Sequence, residues 1–168
     1  MKNNTLLIIF LAAFFNITKA QVAIGKSTVE GSSILDFNET NNTRGIILPA
    51  VTTVPSPLSD GTLYFNRPDA IVYMRQNGAS VPMTEGNGNA TGVIGNPSPE
   101  AGSGVILGAA ISNANGVLIL ESSNLSLTLP KVDRPHLNIK SPYPGTICYD
   151  TSSNTIAVFD GAYWNFWK

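Results

Sequence analysis

The chain carries the same ordered set of landmarks twice. GIILPAV (Gly45 to Val51) is followed by Ser56-Pro57, GTLYFN (Gly61 to Asn66) and IVYMRQNG (Ile71 to Gly78). LTLPKV (Leu127 to Val132), Ser141-Pro142, GTICYD (Gly145 to Asp150) and IAVFDG (Ile156 to Gly161) then appear in the same order. The spacing is nearly constant: 81 residues from Pro49 to Pro130, 84 from Gly61 to Gly145, 83 from Gly78 to Gly161. Even the leading pieces agree, because VAIG ending at Gly25 and VILG ending at Gly108 lie 83 apart. Two tandem copies of one unit are therefore expected, over residues 21–83 and 105–168. Residues 84–104 between them hold six Gly and two Pro. That composition reads as a linker, or as an extended segment pinned against partner chains where small residues permit close backbone approach.

Within each copy the apolar period is two, the period of a strand. Leu125, Leu127 and Leu129 alternate with Ser126 and Thr128, which predicts a half-buried strand. Leu63 and Phe65 oppose Tyr64, Ile147 and Tyr149 oppose Cys148, and Ile156 and Val158 oppose Ala157 and Phe159. These strands are apolar on both faces. One small sheet buries a single face, so another layer or another chain must cover the second. Asn77-Gly78 and Asp160-Gly161 mark hairpin turns, and residues 162–167 then read as a returning strand. The expected fold is all-β: a two-layer sandwich of the two copies, or a fibre-like trimer.

Composition closes off other classes. Asn, Ser and Thr total 46 residues against 21 charged ones, and 15 Gly with 11 Pro interrupt the chain too often for long helices. A formal charge of −1 leaves no basic surface for nucleic acid. Residues 1–20 combine Lys2, ten apolar residues from Leu6 to Phe15, and small residues at Thr18 and Ala20. This is the layout of a secretory signal peptide, too short to span a bilayer, with Gln21 as the new N-terminus. After cleavage no integral membrane segment is expected, and the protein is placed outside the cell or on its surface. The one cysteine, Cys148, excludes an intrachain disulfide and does not follow the cut, as a lipid anchor requires.

The landmarks VAIGKSTVEGSSILDF, NNTRGIILPAV, SPLSDGTLYFN, LTLPKV, SPYPGTICYDT and VFDGAYW resemble a β-repeat module of secreted Bacteroidetes proteins. Its members run GIGT…LD…GLLLPRV…P.G.LVYNT…YNG..W. The similarity spans nearly all of the chain after residue 20. Ala50 and Lys131 stand where many members have Arg, and the first copy lacks the closing Trp. The resemblance implies a tail-fibre- or adhesin-like surface protein that trimerises, and it brings no defined biochemical activity.

Candidate chemistry is sparse. His136, the single histidine, lies in a Pro-flanked loop, reads as a surface-loop residue and has no fixed sequence relation to Cys148, which reads as a small buried hydrophobe. Asp150-Thr151-Ser152-Ser153-Asn154 alternates oxygen side chains as calcium loops do. It has Thr155 and Gly161 where such a loop needs Gly and an acid, so a turn between strands is expected. No catalytic set, metal site or cofactor is expected. The aromatic tail, with Tyr163, Trp164, Asn165 and Trp167, is the candidate ligand-binding platform: aromatic faces stack on sugar rings and Asn165 offers an amide to hydroxyls. The sequence thus points to a non-enzymatic, homo-oligomeric structural or adhesive protein with a surface partner. The alternative is a carbohydrate-binding module whose partner is a glycan.

Overall fold

A computed structural model describes residues 21–95 and 104–168. The leader read at residues 1–20 lies outside them. The first copy supplies β1 (Val22–Ile24), β2 (Ser33–Phe37), β3 (Ile46–Ile47), β4 (Ala50–Val51), β5 (Leu63–Asn66), β6 (Ile71–Gln76) and β7 (Ala79–Pro82). The second supplies β8 (Val105–Leu107), β9 (Leu118–Leu120), β10 (Ser126–Leu127), β11 (Lys131–Val132), β12 (Thr146–Asp150), β13 (Thr155–Phe159) and β14 (Trp164–Trp167). One turn of helix, α1 (Pro135–Asn138), interrupts the strands and carries His136 where a loop is expected, because Pro135 at its first position is preset for a helical turn. The fold is all-β, built from short stacked sheets in a solenoid-like arrangement.

The repeat is a repeat of register. Val22 lies opposite Leu35 in parallel β1 and β2, and Val105 opposite Leu118 in parallel β8 and β9. Parallel pairing sets Ala50 beside Phe65 in one copy and Lys131 beside Tyr149 in the other. The antiparallel hairpins match as well, with Phe65 facing Val72 and Tyr149 facing Ile156. Gly61 and Gly145 enter β5 and β12 at φ +88° and +84°, a left-handed conformation that glycine adopts at little cost. The three residues by which the spacing grows from 81 to 84 fall in the loop before β12, where the second copy fits α1.

The two copies do not fold as separate beads. β3 of the first copy pairs antiparallel with β12 of the second, and β10 of the second pairs parallel with β2 of the first. The main core draws on both: Leu48, Phe65, Val72 and Met83 from one side, Ile147 and Val158 from the other. Val132, Cys148 and Ala157 form a second core on the opposite face of the β12–β13 sheet, closed by Ile139 and Trp164. Both apolar faces of these strands are thus covered within one chain. Each large side chain so buried contributes about 1.5–3 kcal/mol, so the folded monomer already collects that stabilisation.

Two local readings need amendment. Only Ser126–Leu127 of the Leu125–Leu129 stretch is strand, and Leu127 stays 38 % exposed while Leu129 packs on the main core. The Gly-rich segment after Met83 is pinned against its own chain over its described part. Thr84 and Val93 are buried, and the Asn89 N–H donates to the Asp160 carbonyl. A Cβ at Gly88 would lie 2.2 Å from the Ala70 carbonyl oxygen, so this strap approaches the sheet as only glycine can.

Candidate functional site

The aromatic tail forms β14, at the edge of the sheet ordered β11-β12-β13-β14. Its register sets Trp164 beside Phe159, Asn165 beside Val158, Phe166 beside Ala157 and Trp167 beside Ile156. Alternation sends Trp164 and Phe166 to one face, Asn165 and Trp167 to the other. Trp164 closes the second core and tilts against Phe159 with ring centroids 5.4 Å apart. Phe166 meets the His136 ring edge-on at 6.1 Å. Tyr163, Phe166 and Trp167 remain exposed.

Asp160 shapes the turn that carries this tail. Its buried carboxylate accepts hydrogen bonds from the N–H groups of Ala162 and Tyr163, at 2.8 and 2.7 Å, and from the Asn165 amide at 2.8 Å. The Asn165 side-chain oxygen accepts from the Glu85 N–H at 3.2 Å, which fastens the strap to the tail. Between strap and tail lies an open cleft of about 580 Å³, whose lining includes Tyr163, Trp164, Asn165, Trp167, Glu85 and Asn87. The structure therefore brings all four residues of the sequence-derived platform to one cleft and divides their roles. Trp164 and Asn165 hold the scaffold, while Tyr163 and Trp167 offer open rings. Glu85 and Asn87 escaped the sequence reading because the Gly-rich composition around them signals a linker.

Elsewhere the polar chemistry is spent on architecture. Asp150 is buried and accepts from the Arg134 and Ser152 N–H groups, each at 3.0 Å, and from the Ser153 hydroxyl at 2.7 Å. Burial works against its ionisation, yet these donors outweigh it and hold the carboxyl below its ordinary value. The Asn154 N–H returns to the Asp150 carbonyl, so residues 150–154 form a turn. Asp36 is buried beside the Lys26 ammonium at 2.7 Å and accepts from the Glu30 and Phe37 N–H groups. Here too burial opposes ionisation, and the ammonium and the backbone donors prevail, lowering the carboxyl's pKa.

Cys148 is fully buried, and burial together with the Asp150 charge pushes its thiol up to about 12. At neutral pH it is a protonated core side chain, without the thiolate a nucleophile needs. Among the described residues no helix is long and apolar enough to cross a membrane, and no three His, Cys, Asp or Glu side chains are placed to hold a metal. Comparisons with family models, curated proteins and solved structures returned no match to this chain.

Proposed function

We propose that this protein is a non-enzymatic structural or adhesive component of the cell exterior, exported by its N-terminal leader, a member of the secreted Bacteroidetes-type β-repeat proteins that acts as a homo-oligomer. The observation that carries this reading is the interlocking of two repeat copies through exchanged strands, with side chains committed to turns and core. Its buried aspartates organise loops, and its one thiol is held protonated. Cell fractionation of the native host, with intact-mass measurement of the exported form, tests the proposal. Surface or medium material beginning at Gln21 is expected, and cytoplasmic protein retaining Met1 contradicts it.

The cleft beside β14 favours one further reading, a carbohydrate-binding module. Tyr163 and Trp167 present open rings there, and Glu85 and Asn87 add polar groups to the wall. Sugar rings stack on such faces while their hydroxyls take hydrogen bonds. A glycan array on the wild type and on a Tyr163→Ala, Trp167→Ala double variant separates the two readings. Binding lost in a folded double variant supports the module, and no binding by the wild type removes it.

A further inference from the structure

The junction between the two copies is not reciprocal. The first copy lends β3 to the edge of β12. The matching loan, β10 to the edge of β5, is not made, and β10 lies along β2 instead. A two-fold pair would exchange equivalent strands in both directions. This junction is directional, and it leaves each copy unfinished at one end.

Equivalent positions show where. Ser33, Ile34 and Leu35 of β2 are buried at 1 %, 1 % and 4 % exposure, because β10 flanks them and the second copy covers them. A Cβ on Gly108 would lie 2.5 Å from the Ile34 side chain. In the second copy Val117 and Leu118 hold the places of Ile34 and Leu35, and they are 59 % and 46 % exposed. Nothing among the described residues pairs with the outer edge of β9. At the other end, Ile147 is 1 % exposed under β3, while its counterpart Leu63 keeps that edge free of any strand among the described residues.

The lending strands are free on the side such a partner needs. The Ser126 and Thr128 N–H groups donate to the carbonyls of Ser32 and Leu35, and that of Leu48 donates to Gly145. Neighbouring residues of a strand direct their backbone groups to opposite edges. Leu127 and Leu129 therefore point theirs away from β2, toward where a following copy's β5 would lie. Gly45 and Ile47 point theirs away from β12, toward where a preceding copy's β9 would lie. Ile47 is 57 % exposed and Ile24 49 %.

We propose that chains associate head to tail by repeating their internal junction. β10 of one chain adds to the β5 edge of the next, and β3 of that next chain adds to the β9 edge of the first. The Gly25 turn of the incoming chain then covers Val117, as Gly108 covers Ile34 within one chain. The partner is a second copy of this chain, recognised by backbone pairing and an apolar seal. This rests on the homo-oligomeric reading above and specifies its geometry. The contact is heterologous, so it closes into a ring or extends as a filament.

Val117→Lys and Ile24→Lys each put a charge at one of the two ends, on side chains exposed in the single chain. Masses of the exported protein are read by light scattering across a concentration series, with melting curves to verify folding. The wild type should exceed the one-chain mass, each variant alone should fall to it, and an equimolar mixture should reach twice it and no more. Leu118→Lys and Ile47→Lys probe the same ends should either first variant fail to fold. A monomeric wild type overturns both this inference and the homo-oligomeric reading. An assembly unchanged by the end variants, such as a trimer about a shared axis, overturns the head-to-tail geometry alone. Variants that are monomeric alone and in mixture overturn it too.

Discussion

Ile34 and Val117 occupy the same place in their respective copies, yet one is 1 % exposed and the other 59 %. Ile147 and Leu63 differ in the same sense at the opposite ends. Each copy is therefore covered along one strand and left open along the equivalent of the other's covered strand: among the described residues β2 and β12 are flanked on both edges, β9 and the start of β5 are not. The local sequences are alike, so the difference comes from the neighbour: β2 receives β10 and β12 receives β3, while β9 and the start of β5 receive no strand among the described residues. The two flanked strands also hold buried aspartates. Asp36 lies in β2 and Asp150 ends β12, while Ile119 and Asn66 stand at the equivalent positions of β9 and β5. An ionised carboxylate is tolerated where enough donors converge on it, and each finds them within its own copy: Lys26, Glu30 and Phe37 for Asp36, and Arg134, Ser152 and Ser153 for Asp150.

The largest effect should come from breaking the core the copies share. Phe65 is fully buried between both copies, so Phe65→Ala should cost about 3–5 kcal/mol. Because the core is common, denaturation followed by Trp fluorescence, which reports only the second copy, should shift as far as far-UV circular dichroism does. A copy-two signal left in place would show that the copies fold independently. Asp160→Ala comes next. It strands the Ala162 and Tyr163 N–H groups and the Asn165 amide, which predicts a loss of about 2–3 kcal/mol in chemical denaturation.

Acid should reveal the two buried carboxylates together. Asp36 and Asp150 have folded pKa values below their unfolded ones, so their contribution is complete above the unfolded value. It is lost as pH falls through the folded values, in the range below about pH 4. Melting temperature should drop across that window, and Asp36→Asn or Asp150→Asn should flatten the drop. The smallest effect is expected at the open end. Val117→Ser should change monomer stability by less than about 0.5 kcal/mol, whereas Ile34→Ser at the equivalent buried place should be far more costly.

Much of the fold was legible in the repeat. The paired glycines, the strand alternation and the spacing of 81 and 84 residues foreshadow hairpins that share one register. The exchange of β3 and β10 was not. Alternation on a two-residue strand tells which side chains share a face and is silent about which edge the strand joins. The strap after Met83 stayed hidden because the glycines that let it approach Ala70 and Asp160 look compositionally like flexible linker. Of the candidate site, the four tail residues were legible from their aromatic spacing. The division between scaffold and open rings depends on Asp160, whose role is fixed by burial that no local pattern announces.

Native-state hydrogen exchange in dilute solution, comparing the backbone amides of Ile147 and Leu63, addresses the directional junction most directly. The two residues hold equivalent register, opposite Val158 and Met74. With β3 seated on β12 and β5 left open, the Ile147 amide should exchange only on global unfolding. The Leu63 amide should exchange orders of magnitude faster and slow down as chain concentration rises. Equal protection of the two amides at every concentration would contradict the account.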